Sequence, residues 1–243
     1  MLGLTGTRVT PQGLKALSGM NLHRLTIPIE AETDVGLRYL LAAIKPPTEL
    51  KLALWKLTDD GVRELAKHKQ LLSLQLESRM ITDESLKVIG GLGELEKLIL
   101  GGHDISDAGI KQLLGLRHLR QLGIYSLSIS DASCADLAKL TQLKMLYLSG
   151  NNIGDGGVLH LAGLKELVSL YLDRTRITDE CIKDLAELKE LRVLALDGTR
   201  VTDAGVRRLT SLKKLELLSL GRTRVTEEAK REIGKAIPNC RIY

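Results

Sequence analysis

Residues 191–214, LRVLALDGTRVTDAGVRRLTSLKK, carry two hydrophobic periods in succession. Leu194 and Leu196 alternate with Val193, Ala195 and Asp197, the period of an extended strand with one buried face. Val206, Leu209 and Leu212 then recur at three-residue spacing, as on a helix packed along one side. Between them, Val201-Thr202-Asp203 predicts a helix start. The Thr202 hydroxyl oxygen can accept a first-turn N–H, and Asp203 suits the positive end of the helix dipole. On that reading Thr202→Ala costs about 1 kcal/mol.

The unit repeats. Leu52, Leu76, Leu100, Ile124, Leu148, Leu172, Leu196 and Leu220 each follow the last by 24 residues. Leu71, Leu95, Leu119, Leu143, Leu167, Leu191 and Leu215 open the strands. The helix start recurs as LTDDGV (57–62), ITDESL (81–86), ISDAGI (105–110), ISDASC (129–134), IGDGGV (153–158) and ITDECI (177–182). A fixed period of this size predicts a solenoid, in which each unit stacks only on its neighbours. Strands joined by helical crossovers form a parallel sheet with right-handed connections. The expected fold is therefore an α/β right-handed solenoid, a horseshoe with the sheet on the concave face and the helices on the convex face.

The motif L-x-x-L-x-L followed by T-x-[IV]-T-D-x-G-[LV]-x-x-L-x-x-L resembles leucine-rich repeat proteins. It is most similar to the variety whose helix opens with I-T-D-x-G-L, found in many bacterial repeat proteins and in F-box substrate receptors. The resemblance covers nearly all of the chain and implies the horseshoe. Leu191 and Thr199 stand where the cysteine-containing subclass has cysteines, and no F-box-like helical segment is present, so ubiquitin-ligase function is not implied.

One domain of about ten units spans residues 1–243. Residues 1–21 form a shortened first repeat whose helix opens at VTPQGL (9–14). Residues 22–49 form an irregular repeat, with Pro28 just past its strand and Pro46-Pro47 ending its helix. Its spacing to the next unit is 25, read as ordinary drift in repeat length. Residues 50–214 are regular. Residues 215–243 hold the last repeat and a C-terminal cap, in which Ile242 is expected to add a strand beside Leu220. Nothing covers the first repeat, so the expectation is either a longer protein upstream or a homo-oligomer joined through that open face.

Thirty-five basic and 30 acidic residues leave a formal charge of +5, well mixed along the chain. Pairs such as Arg207-Arg208 and Lys213-Lys214 fall on solvated helix faces. With no Phe and one Trp, stacking partners for nucleic acid are scarce, which argues against that class. Cys134 takes a core position, and Cys134, Cys181 and Cys240 are too widely spaced for a zinc site. No apolar run reaches the roughly 20 residues that cross a membrane. No secretory leader is visible, and with unpaired cysteines this favours a cytoplasmic chain. His23, His68, His103, His118 and His160 share no repeat position. The column Asp59, Asp83, Asp107, Asp131, Asp155, Asp179, Asp203 is read as helix starts. No catalytic arrangement, metal site or cofactor motif emerges, and GGH (101–103) and GDGG (154–157) lack a phosphate-binding context.

Function is therefore expected on the concave columns. Tyr147 and Tyr171 share one column, with rings about 5 Å apart across neighbouring strands, and Tyr125 lies two places along its own strand. Met145, Val193 and Leu217 add apolar area, and Asp173 and Asp197 edge the patch. Tyrosine is enriched at the energetic centres of protein interfaces. The expected site is Tyr125, Met145, Tyr147, Tyr171, Asp173, Val193 and Asp197, holding a basic or mixed protein or peptide segment. A second candidate is a rim of Arg174, Arg176, Arg200, Arg222 and Arg224, suited to an anion. Thr175, Thr199 and Thr223 beside it predict a hydrogen-bonded turn ladder, and Trp55 is expected to pack over the proline-rich joint. The first functional reading is a non-catalytic interaction scaffold. The alternative is the recognition arm of a larger enzyme or effector.

Overall fold

A computed structural model describes residues 2–22, 25–102 and 104–243. His23 and His103 lie outside the described residues. Two parallel sheets form. A short one pairs β1 (Leu2–Gly3) with β2 (Leu25–Thr26). The long one runs β3 (Glu49–Ala53), β4 (Ser73–Glu77), β5 (Lys97–Gly101), β6 (Gln121–Tyr125), β7 (Met145–Tyr147), β8 (Ser169–Tyr171), β9 (Val193–Ala195), β10 (Leu217–Ser219) and β11 (Arg241–Ile242), each beside its sequence neighbour. Register advances by 24 residues per strand: Ser73 faces Lys97, which faces Gln121. The solenoid is an α/β horseshoe with sheet and helices on opposite faces. Every anchor leucine points inward, with Leu52, Leu76, Leu148, Leu196 and Leu220 all at most 1% exposed.

Three details depart from the sequence reading. First, the helices are short and often finish as a 3-10 segment. Asp203–Val206 is α-helical and Arg207–Ser211 is 3-10. The three-residue spacing of Val206, Leu209 and Leu212 is the pitch of that tighter helix. Second, Ile242 pairs with Leu218, not Leu220. Third, the 25-residue spacing is not mere drift. It coincides with the break between β2 and β3, where the two sheets separate.

The caps form as expected except at Gly154, which opens its helix with no side-chain cap. Thr58, Thr82, Ser106, Ser130, Thr178 and Thr202 each accept the N–H two residues on. The Asp column does more than complement the helix dipole. Each carboxylate grips the cap of the following repeat: Asp179 accepts from Thr202 N at 2.8 Å and Thr202 Oγ1 at 2.6 Å. The same pair of bonds joins Asp34 to Thr58, Asp59 to Thr82, Asp83 to Ser106, Asp107 to Ser130, Asp155 to Thr178 and Asp203 to Thr226. A line of charge-assisted bonds therefore runs the length of the stack.

From Gly61 to Gly205 the third residue after the cap alternates between glycine and a residue with a side chain: Gly61, Ser85, Gly109, Ser133, Gly157, Cys181, Gly205; outside that run Gly36 repeats the glycine and Ala229 carries no donor. At the glycines the aspartate of the preceding repeat fills the space, and a Cβ on Gly61, Gly109 or Gly205 would overlap a carboxylate oxygen of Asp34, Asp83 or Asp179. At the other positions a side chain takes that place: the Ser85 and Ser133 hydroxyls donate to Asp59 and Asp107, and the Cys181 thiol, beside Asp155, donates to Thr178 O at 3.5 Å.

Candidate functional site

The concave face is set by strand alternation. With Leu146, Leu170 and Leu194 in the core, Met145, Tyr147, Ser169, Tyr171, Val193 and Ala195 face the arc. Tyr147 pairs in register with Tyr171, and their rings stack with centroids 4.4 Å apart and planes 11° from parallel. Tyr125 ends β6 next to them and is 45% exposed, while Met145 is 37% exposed. The Tyr147 hydroxyl lies 3.9 Å from the Met145 sulfur. Gly123 leaves room here, because a Cβ at that position would meet Ile99, Tyr125 and the base of Tyr147.

Electrostatically the patch is edged by acid. Burial, then Tyr147 and the carboxylate of Glu77, pushes the Tyr125 phenol above its ordinary value. Burial and Tyr147 do the same to Tyr171, with a smaller push from Asp173. Both phenols are therefore neutral donors at physiological pH. Asp173 and Asp197 are not free arms. Asp173 accepts Ser149 Oγ at 2.8 Å and Asp197 N at 3.0 Å, and Asp197 accepts Ser219 Oγ at 2.7 Å and Gly221 N at 2.6 Å. They tie the ends of neighbouring strands together and present a fixed negative edge.

One element is absent from the sequence reading. A hollow of about 570 Å³ adjoins Tyr125, lined by Leu54, Trp55, Glu77, Met80, Gly101 and Gly102 among others. Its glycines lie against their neighbours, since a Cβ on Gly101 would press on Glu77 and one on Gly102 on Ile81. Gly101-Gly102 is therefore a structural dent. Leu54 is 84% exposed at the rim, in a left-handed turn with φ 66°. Trp55 is 8% exposed and also lines the space beside Pro46 and Pro47, as expected. Trp55 and three of the protein's five tyrosines thus share one side of the arc. No single column signals it, because Trp55 and Met80 fall 25 residues apart, one out of step with the 24-residue repeat.

A family model described as a leucine-rich repeat matches residues 95–114 and 139–162. Two solved structures from Listeria monocytogenes overlay nearly the whole chain. Internalin C2 matches with a TM-score of 0.66 at 22% identity, covering 97% of this chain and 92% of that one. The internalin inlF matches with a TM-score of 0.71 at 19% identity, covering 99% of this chain but 65% of that one. No curated protein matches. The chain has the leucine-rich repeat fold. At these identities the internalins speak for the fold alone.

On the leucine-rich repeat frame, the five arginines Arg174, Arg176, Arg200, Arg222 and Arg224 all lie exposed beyond the strand ends. Among the described residues none makes an ion pair, and Asp173 and Asp197 do not neutralise them. Arg176 donates to Asn152 O at 3.1 Å. Arg174 and Arg222 occupy left-handed turns, φ 54° and 56°, in the column that Gly150 and Gly198 fill at 77° and 67°. The Arg174 stem crosses over Gly198. The threonines are no ladder between repeats. Thr175, Thr199 and Thr223 each donate to a carbonyl three residues back in their own turn, at 2.6–2.7 Å. Arg207 and Lys214 pair with Glu232 and Glu190 of adjacent repeats, contacts of small worth at this exposure. No helix among the described residues is long and apolar enough to cross a membrane.

Proposed function

We propose that this protein is a non-catalytic scaffold that holds a segment of a partner protein on its concave face. The site is centred on Tyr125, Tyr147 and Tyr171 and bordered by Met145, Val193, Asp173 and Asp197. Leucine-rich repeat proteins are typically protein-interaction scaffolds, which supports the class. The observation that carries the location is the stacked Tyr147–Tyr171 pair beside exposed Tyr125 and Met145. Stacked rings are rigid, so little rotamer freedom is lost when they are covered, and their hydroxyls can bond to a partner backbone. The adjoining hollow gives an anchor side chain somewhere to go. The fixed acidic edge favours a segment carrying Lys or Arg beside an apolar anchor.

The test is the double substitution Tyr147→Ala with Tyr171→Ala. Both rings point away from the core, so the melting temperature should stay within a few degrees of wild type. Capture of the partner from lysate, followed by mass spectrometry, should fall at least tenfold. Equal recovery by wild type and double variant would remove this site.

A further inference from the structure

Among the described residues the concave sheet is interrupted once: there β2 pairs only with β1 and β3 only with β4, so two strand edges face each other without a ladder between them. The repeats still touch at both ends of the gap: Lys45 N donates to Leu22 O at 3.0 Å, and Lys56 N donates to Glu32 O at 2.9 Å. The opening is thus a slot closed at top and bottom, with a volume of about 1050 Å³. It starts at Pro46-Pro47, just after the Lys45 bond. With φ fixed and no N–H, these residues cannot bond back toward β2.

Two kinds of surface are left wanting there. The first is backbone. Thr48 O accepts from Leu72 and Ser73, and Leu54 N donates to Glu77 O, so the even-numbered peptide groups of β3 face β4. Alternate residues of a parallel strand bond to opposite neighbours, so the N–H and C=O of Lys51 and Ala53 face the slot. The second is core. Leu25 and Ile44 line the slot half-buried and Ile29 stands exposed at its edge, above the buried Ile27, Leu40 and Leu50. A rounded apolar molecule would cover the second surface and leave the first on water. A β-strand covers both.

We propose that this slot accepts an extended segment of a partner protein as an added strand. The segment runs parallel to β3 and is apolar at alternate residues. It bonds to the peptide groups of Lys51 and Ala53, and its apolar side chains meet Ile27, Leu40 and Leu50. Five residues match β3, about 17 Å at roughly 3.3 Å each. Backbone bonds supply affinity in this mode, and the side-chain pattern supplies selectivity. Glu32 lines the slot near the C-terminal end of β3, where burial and the charge of Glu30 push its carboxyl up. A Lys or Arg at the C-terminal end of the segment relieves that crowding. The site is separate from the tyrosine patch and does not depend on it.

The probe is a fluorescent peptide reproducing residues 71–79, LLSLQLESR, which has the alternation and a basic end. It should bind saturably, and a scrambled peptide of the same composition should bind at least tenfold more weakly. Lys51→Pro withdraws only the N–H that faces the slot, a change an edge strand tolerates, and should weaken the peptide at least tenfold. The Tyr147→Ala, Tyr171→Ala variant should bind it unchanged. In amide hydrogen exchange, Lys51 and Ala53 should exchange far faster than Leu52 in the free protein and become protected by the peptide. This footprint decides the matter if Lys51→Pro does not fold. Protection of Lys51 in the free protein, equal binding of the scrambled peptide, or no binding at about 1 mM would each overturn the proposal. A dimer that the peptide dissociates would assign the slot to a second copy and overturn the partner reading.

Discussion

At the scale of single residues, the stack is held by aspartates whose partners lie one repeat away. Thr202 both caps its own helix and donates to Asp179, so Thr202→Ala loses more than a cap. A cap is worth about 1 kcal/mol and a bond to a charged group about 1.5–3 kcal/mol. Urea unfolding should show a loss of about 2–3 kcal/mol, with Thr202→Ser retaining most of it. A loss of 1 kcal/mol or less would leave the bond to Asp179 without energetic weight. Burial opposes ionisation of Asp59, Asp107 and Asp155, but bonds from the next repeat outweigh it and hold all three below the ordinary aspartate value. A depressed folded pKa stabilises above the unfolded value, near 3.9, and that stability is lost as pH falls through the folded pKa. Melting temperature should therefore drop steeply below about pH 4, and Asp59→Asn with Asp107→Asn should flatten the drop. The thiols make a third prediction at this scale. Burial pushes Cys134 up to about 12, and Cys181 is raised as well. Neither should react with a thiol reagent at pH 8 until the chain is unfolded, as mass spectrometry of labelled peptides would show.

At the scale of elements, most of the architecture was legible. Leucines at period two and a Ser/Thr before most helices dictate strand and cap locally, and the structure keeps both, Gly154 being an uncapped exception. What was not legible depends on residues far apart in sequence. The bond from Asp179 spans 23 residues, and nothing near Asp179 reveals it. The β2–β3 slot was visible only as one extra residue and a proline pair, a signal that drift in repeat length also produces. For the tyrosines, the column assignment gave the stacking of Tyr147 on Tyr171. It could not show the hollow beside Tyr125, which needs Trp55, Met80 and Gly101 brought together from three repeats. Nor could it show that Asp173 and Asp197 are bound by Ser149 and Ser219.

At the scale of the whole molecule, a solenoid is only as cooperative as its weakest junction. Between β3 and β11 every strand pair is bonded, whereas between β2 and β3 the ladder is missing. Residues 2–44 should consequently open first. In increasing urea their amides should exchange at lower denaturant than those of β4 to β10, and a single transition across all amides would show that the convex contacts suffice to couple the halves. The alternation after the caps acts over the same length. Because glycine and a bulkier residue follow each other in turn from Gly61 to Gly205, the repeating match within that run is two coils, not one. Excising residues 107–130 would splice Ser106 onto Asp131 and crowd Ser133 against Asp83, which is shaped for glycine. Excising residues 107–154 would bring Gly157 to that place and restore the match. Shortening this protein by 48 residues should therefore leave a better-folded product than shortening it by 24, and duplications that lengthened it would have been tolerated most readily in pairs.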